Sequence, residues 1–151
     1  MTGDKARRQT FEDPQAGFTV AFPGKPTRTA TRLGRTSNLA FTVTTATARF
    51  EVSVATDPDL SPHEAGEVLE GFRQAASFDA KVEREQSVTA GAVAGLELRT
   101  SGKGLDGKRY RRVQRLYVGQ GRTWTVLVSV EGTGSLEAAG ADAFLASFAL
   151  R

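Results

Sequence analysis

The chain has 151 residues, of which 39% are hydrophobic and 25% charged, and its formal net charge is +3. This length and composition are typical of one globular domain with a core to bury, and they argue against wholesale disorder. The absence of Cys excludes disulfides and thiolate chemistry, and the single His excludes metal sites and catalytic machinery that need two histidines.

The first residues predict a loose N-terminal tail. Residues from Met1 to Ala16 are mostly polar and charged, as is usual for a chain terminus that is not tied down. The stretch Met1–Gln9 lacks the apolar core of a secretory signal peptide, and no run approaches 18 consecutive apolar residues, so no transmembrane segment is predicted. Two localisations stay open: the cytoplasm, or an extracytoplasmic site if a signal peptide or lipoprotein anchor has been removed.

Alternating apolar residues predict strands in the first third of a single domain that we place at residues 17–151. Phe18–Phe22 has the period of a half-buried strand, and the polar run Thr27–Asn38 suits an edge strand plus a turn. Leu39–Thr47 and Arg49–Thr56 are rich in Val, Thr and Phe, also with period two, so we expect a hairpin.

A helix is predicted to begin after the break at residues 57–59. Ser61 can cap the first turn, Pro62 occupies the first helical position, and Glu64 can reach back to close a capping box. Apolar residues then follow at helical spacing, so one stripe should face a core; they are Ala65, Val68, Leu69, Phe72, Ala75 and Ala76.

Beyond Asp79 the pattern returns to strands. The predicted strands are Lys81–Thr89, Ala92–Ser101, Lys108–Val118 and Arg122–Glu131. Their connections have two to six residues, which is too short for a parallel crossover, so an antiparallel meander is expected. Ser135–Ser147 carries apolar residues at helical spacing and predicts a second helix. The order of elements indicates an α+β domain with helices packed on a central antiparallel β-sheet.

A basic segment is the strongest candidate for a binding surface. Seven positive charges fall between Arg99 and Arg115, opposed only by Asp106. The candidate binding residues are Arg99, Arg109, Tyr110, Arg111, Arg112 and Arg115. On a strand, Arg109, Arg111 and Arg115 point to one face while Tyr110 and Arg112 point to the other. Such a row of guanidinium groups suits an acidic protein partner or phosphates, although clustered charge also occurs on merely solvated faces.

Other constellations give no support for catalysis, a metal or a cofactor. His63 lies in the first turn of the predicted helix, where we expect it to be an incidental surface residue. Glu64, Glu67 and Glu70 suit a solvated helix face rather than an acid–base pair. The glycines and lysines at residues 102–108 lack the spacing of a phosphate loop and join two strands, which favours a hairpin turn. No nucleic-acid motif is present, so nucleic acid is a disfavoured partner.

Three pieces of the sequence resemble a known family. They are Gly17–Pro26, read as GFTVAFPGKP, the strand around Tyr110–Trp124, and Phe144–Leu150, read as FLASFAL. Bacterial domains of the PsbP-like superfamily commonly open with an aromatic strand running into Phe-Pro-Gly-x-Pro and close with a helix ending in Phe-Leu-x-Ser-Phe. That superfamily includes the extrinsic photosystem II protein, a yeast Ran-binding import factor and lipoproteins of the LpqN and DcrB type. The resemblance spans about residues 17–150.

The resemblance implies a central antiparallel sheet sandwiched by helices, and it implies no catalytic residues. Members of the superfamily act as binding or assembly modules, and many are exported and lipid-anchored. This sequence shows neither a signal peptide nor a lipobox Cys. No functional residue of the photosystem protein or of the import factor can be matched here.

The leading hypothesis is therefore a non-enzymatic binding or assembly module with a protein partner. It would use an exposed sheet face or the Arg-rich hairpin from Arg99 to Arg115. The alternative is a small-ligand carrier or a cryptic enzyme with a cleft between sheet and helix. A third hypothesis, binding of a phosphate polymer, predicts affinity that falls steeply with salt.

Overall fold

The computed structural model describes residues 9–151, which contain ten β-strands and three α-helices. The strands are β1 Gln9–Asp13, β2 Phe18–Phe22, β3 Thr27–Leu33, β4 Thr36–Thr44, β5 Ala48–Thr56, β6 Lys81–Ala90, β7 Val93–Lys103, β8 Arg109–Gly119, β9 Arg122–Glu131 and β10 Ala149–Leu150. The helices are α1 Ala65–Ser77, α2 Leu136–Ala139 and α3 Ala141–Ser147, and a 3-10 turn, Pro62–Glu64, precedes α1.

Seven strands form one antiparallel sheet in the order β3-β4-β5-β9-β8-β7-β6. The predicted hairpin and the predicted meander are both confirmed, and β5 joins them by pairing with β9 from Ala48–Val130 to Thr56–Arg122. Alternation gives the sheet two faces. The inner face carries the buried Val126, Val128 and Val130, and the outer face carries the residues between them.

A second sheet of three strands, β1-β2-β10, belongs to the same core as the inner face. It corrects the predicted N-terminal tail, because residues 9–13 pair along the full length of β2. The single aromatic residue of that segment, Phe11, explains the difference: its ring centroid lies 5.1 Å from Phe41 and 5.8 Å from Phe22. Residues 1–8 of the predicted tail lie outside the described residues.

Aromatic rings join the small sheet, α3 and the large sheet. Phe148 stacks between Tyr117, with centroids 5.3 Å apart, and Phe18, at 5.8 Å. Phe144 contacts Phe22 at 5.4 Å and Phe50 at 5.1 Å. Each large ring that is buried contributes about 1.5–3 kcal/mol of transfer free energy, with a further increment from the ring–ring geometry.

Ser147 completes this joint between α3 and β2. Its hydroxyl donates to the Phe144 carbonyl at 2.7 Å and accepts from the Ala21 amide at 2.8 Å. The Phe-Leu-x-Ser-Phe motif therefore has a structural explanation, since its two aromatic residues fill the core and its serine satisfies a backbone donor of β2.

The predicted helix Ser135–Ser147 is wrong in one respect, because it is divided into α2 and α3 at Gly140. Ser135 caps α2 by accepting from the Ala138 amide at 3.0 Å. Gly140 then adopts a left-handed conformation with φ of 84°, which ends a helix and which other residues adopt at a cost. Helical spacing alone did not reveal this break.

Helix α1 packs on the outer face against β7 and β8. Leu60, Leu116 and Val118 are buried there, and residues of the predicted apolar stripe cover them. The predicted capping box is only half formed: the Glu64 carboxylate accepts from the Ser61 amide at 3.5 Å, but the Ser61 hydroxyl donates to that carboxylate instead of accepting from the helix. The intervening 3-10 turn accounts for this difference.

The α+β prediction is confirmed, and the architecture is richer in sheet than a sandwich of helices. One face of the large sheet carries α1, whereas the other is covered by the small sheet with α2 and α3. No helix within residues 9–151 is long and apolar enough to cross a membrane.

Replacing Ser147 tests the joint between α3 and β2. We expect Ser147→Ala to lower the free energy of unfolding by about 1–3 kcal/mol, because the part-buried Ala21 amide loses its acceptor. Urea denaturation followed by circular dichroism measures the change. Ser87→Ala, at an exposed position of β6, is the control and should stay within about 0.5 kcal/mol of the parent. Equal stability of the two variants would contradict this role for Ser147.

Candidate functional site

The arginines of β8 alternate between the two faces of the large sheet, as predicted. Arg109, Arg111 and Arg115 share the inner face with Val113, whereas Tyr110 and Arg112 share the outer face with Leu116. The six candidate residues are nevertheless not brought together as one surface, because their surroundings differ along the strand.

Glu97 binds two of the candidate arginines in the interior. Its side chain is 1% exposed, and its two carboxylate oxygens accept from Arg115 Nε at 2.7 Å and from Arg99 Nε at 3.1 Å. Arg99 also donates to Asp142 Oδ1 of α3 at 2.9 Å, and Arg115 Nη1 lies 3.5 Å from Tyr117 Oη. This arrangement ties β7, β8 and α3 together.

Both of these guanidinium groups stay charged. Burial is the largest single influence on the pKa of Arg115 and lowers it, but the hydrogen bonds and charge interactions with Glu97 and Tyr117 together outweigh burial, so that the net pKa lies above its ordinary value. Burial likewise lowers the pKa of Arg99, and the hydrogen bonds and charge attraction to Asp142 and Glu97 together raise it by more. Arg99 and Arg115 therefore already have counter-charges within the fold.

The remaining basic residues gather where β7 ends and β8 begins, at a place that we call the basic end of the sheet. They are Lys103, Lys108, Arg109, Arg111 and Arg112. Within residues 9–151 none of their side-chain cationic groups lies within 4 Å of a carboxylate oxygen, although the Lys108 backbone amide donates to Asp106 Oδ1 at 3.0 Å. Lys103 is directly opposite Arg109 in the strand register, and like charges in such a pair repel each other. An approaching anion would relieve this repulsion.

Tyr110 and Arg112 form the outer side of the basic end. Tyr110 lies across Gly102, where a Cβ would come within 2.9 Å of the phenolic oxygen, so a glycine is needed for this approach. The guanidinium carbon of Arg112 lies 4.7 Å from the centroid of the Tyr110 ring. Arg112 Nε and the neighbouring Gln114 Oε1 are buried and have no hydrogen-bond partner among the described residues.

Two open grooves meet at the basic end. The inner groove has a volume of about 920 Å³ and is lined by Lys81, Glu83, Ser101, Arg109 and Arg111 among others. The outer groove, of about 1090 Å³, runs from the β4–β5 hairpin to the end of α1, and Arg112, Ser129 and Glu131 form part of its floor. Asp79, Lys103, Tyr110 and Thr133 line both grooves.

Two exposed apolar side chains at the outer groove were not predicted from the sequence. Phe78 directly follows α1 and is 82% exposed, and Leu105, in the β7–β8 turn, is fully exposed. An isolated large apolar residue in a turn is the signal that could have identified both. Gln114 was also missed, since a lone amide on a strand carries no pattern.

The packing between α1 and the large sheet leaves little room for the ligand cleft of the alternative hypothesis. The space between α1 and β8 is filled by Leu116, Val118, Leu69 and Phe72. His63 is exposed and lies at the start of α1, roughly 20 Å from the end that borders the grooves. No cluster of three or more His, Asp or Glu side chains suitable for a metal ion occurs in the described part of the chain.

Removing the charge of Glu97 tests the assignment of Arg99 and Arg115 to the fold. We expect Glu97→Gln to lower the free energy of unfolding by about 3 kcal/mol, because two largely enclosed guanidinium groups lose their shared counter-charge. Glu12→Gln removes an exposed partner of Arg151 and should cost less than about 1 kcal/mol. Guanidinium chloride is unsuitable because it screens charge, so urea titrations give the comparison. A Glu97 variant as stable as the control would show that this ion cluster is dispensable.

Comparison with known proteins identifies the fold but no sequence family. No family model matches the chain, and no curated protein matches it in sequence. Cyanobacterial PsbP from Synechocystis sp. PCC 6803 is similar in structure, with a TM-score of 0.54 and 10% identity over 95% of this chain and 92% of that protein. The protein of unknown function PA94 from Pseudomonas aeruginosa has a TM-score of 0.52 and 11% identity over 76% of this chain and 90% of its own.

A third similar structure is the T6SS immunity protein TplEi from Pseudomonas aeruginosa. It has a TM-score of 0.50 and 20% identity over 77% of this chain, which spans 45% of the immunity protein. Identities of this size establish a fold and no activity. The resemblance to the PsbP-like superfamily is confirmed at that level: the chain has a PsbP-like fold.

Proposed function

We propose that the protein is a non-enzymatic binding module and that an acidic segment of a protein partner docks on the basic end of the sheet. The observation that carries this proposal is that Glu97 pairs with only two of the candidate arginines, so the others are left without a counter-charge within residues 9–151. Arg99 and Arg115 have internal counter-charges, whereas Arg109, Arg111 and Arg112 have none among the described residues.

The composition of the basic end favours a protein as the partner. Tyr and Arg are enriched at the centres of protein interfaces, where a guanidinium stacked on a ring loses little flexibility on binding. The exposed side chains of Phe78 and Leu105 border the same outer groove and supply apolar contact area. Asp79 and Glu131 in the groove lining give the surface a mixed charge, which suits a protein partner that carries some basic residues beside its acidic ones better than a uniformly negative phosphate backbone.

The same placement supports a non-enzymatic role. The only histidine is exposed and lies at the far end of α1, so neither groove has an imidazole as a general base. The serines and threonines of the groove linings therefore have no histidine to activate them as nucleophiles.

Charge reversal at the inner groove tests the docking surface. We expect Arg109→Glu with Arg111→Glu to weaken capture of the partner at least about tenfold, because two unpaired cations become anions that repel the acidic segment. The parent protein and the variant are immobilised and exposed to a native lysate of the source organism, and the captured proteins are quantified by mass spectrometry. Circular dichroism confirms that the variant is folded.

The matched control is Lys25→Glu with Arg84→Glu, which reverses the same number of charges at exposed positions outside both grooves and outside β3. A protein captured equally by the parent and the control, and lost from the variant, supports the proposal. Equal capture by all three would place the partner surface elsewhere. Capture that disappears when the lysate is treated with nuclease would identify nucleic acid as the partner and overturn the proposal.

A further inference from the structure

Strand β3 is a long and regular edge of the large sheet. Within residues 9–151 it pairs only with β4, and all seven of its residues are exposed. The seven-residue register from Thr27–Thr42 to Leu33–Thr36 is free of a bulge, and the strand contains neither Pro nor Gly. Natural sheets normally block a long, regular edge because it offers unpaired backbone groups to other chains.

The opposite edge, β6, has the usual protection. Its register shifts between Val82 and Arg84, which is a bulge or irregularity that disrupts the edge. It also carries charged residues along one stretch, and Glu85 is held by Arg73 of α1 at 2.9 Å. The two edges of the sheet therefore differ: within the described part of the chain, β3 has neither a bulge nor an ion pair to a helix, and its only charged residues are Arg28 and Arg32.

The turn between β3 and β4 determines which backbone groups are free. Leu33 and Thr36 flank a two-residue turn, Gly34-Arg35, in which Gly34 has φ of 62°. The residues flanking such a turn exchange both of their hydrogen bonds, and bonded and non-bonded pairs then alternate. The amide and carbonyl groups of Arg28, Ala30 and Arg32 therefore point away from β4, toward a position that another strand can occupy.

The side chains of β3 define the chemistry of that strand. Arg28 and Arg32 project from the inner side of the sheet with Ala30 between them, while threonines project from the outer side. Neither arginine has a carboxylate partner within residues 9–151, although Arg32 Nε donates to the Gly34 carbonyl at 3.3 Å. Leu33, at the end of the strand, is 86% exposed.

A second copy of the chain is a poor occupant of this edge. Antiparallel pairing of two β3 strands about Ala30 would place Arg28 of each copy opposite Arg32 of the other, and like charges directly opposite each other destabilise a sheet. An added strand with acidic residues four positions apart would instead pair with both arginines.

We propose that β3 binds an extended acidic segment of another protein, which adds to the sheet as an eighth strand. Backbone hydrogen bonds to Arg28, Ala30 and Arg32 supply affinity, and the two arginine side chains select the acidic residues. This surface is separate from the basic end, so the two proposals stand or fall independently.

Hydrogen exchange of the full chain with a synthetic probe tests the proposal. The probe is a nine-residue peptide of valine and threonine with glutamate at positions 3 and 7, and the control peptide has lysine at those positions. We expect the glutamate peptide to slow exchange of the Arg28, Ala30 and Arg32 amides at least about tenfold at a saturating concentration, and the lysine peptide to have no effect.

A pair of variants separates strand addition from simple charge attraction. Ala30→Pro removes one outward donor without removing a bond to β4, and should weaken binding of the glutamate peptide at least about tenfold. Ala30→Val keeps the donor and should bind as the parent does. Unchanged protection of β4 amides confirms that the proline variant is folded.

Three results would overturn the proposal. They are the absence of protection at β3 with the glutamate peptide, equal binding by the proline variant, and protection of β3 caused by dimers seen in sedimentation without any peptide. Protection confined to residues 103–112 would assign acidic segments to the basic end alone and would also exclude β3 as the site.

Discussion

The structure depends on the burial of the inner face of one large sheet beneath a small sheet and a short helix. Phe18, Tyr117 and Phe148 stack across this layer, and Ser147 bonds the helix to the backbone of β2. Because the covering elements come from both ends of the described chain, residues 9–22 and 136–150, the core closes only when the two ends meet. The outer face and both sheet edges are positioned by this layer.

The same layer covers one part of the arginine-rich strand β8 and leaves the other part exposed. Where β8 passes beneath the covering elements, an unpaired arginine would be costly, and Glu97 neutralises Arg99 and Arg115 there. Where β8 extends beyond them, Arg109 and Arg111 meet solvent. The same basic segment therefore contains arginines that stabilise the fold and arginines that can attract a partner. The two groups differ in how far the covering elements bury them.

Local patterns predicted most of the elements, because period two and period 3.6 reflect which side of an element is buried. The strands from β2 to β9 and the helix α1 were found in this way. The predicted tail was wrong at Phe11, whose ring packs on Phe41, a residue distant in sequence. The second helix was wrong at Gly140, where spacing stays helical while the backbone turns left-handed. The alternation of the β8 arginines between two faces was predicted correctly, but the ion pairs of Arg99 and Arg115 depend on Glu97, which no spacing rule connects to them.

Helix α1 covers only part of the outer face of the large sheet, so the rest of that face is accessible. Helix α1 packs on β7 and β8, and the outer faces of β9, β5, β4 and β3 beyond it carry mostly polar side chains, among them Thr125, Ser53 and Thr42. An antiparallel sheet whose one face is buried in the core can expose part of its other face to solvent without loss of stability, provided that the exposed side chains are polar. Polar side chains make the face of a sheet compatible with solvent. They do not pair the backbone amide and carbonyl groups at the edge of the sheet, which stay open whatever the side chains are. The exposed polar face of this sheet therefore needs no cover, whereas the regular edge at β3 has backbone groups that are unpaired within residues 9–151, and the strand addition that we propose would pair them.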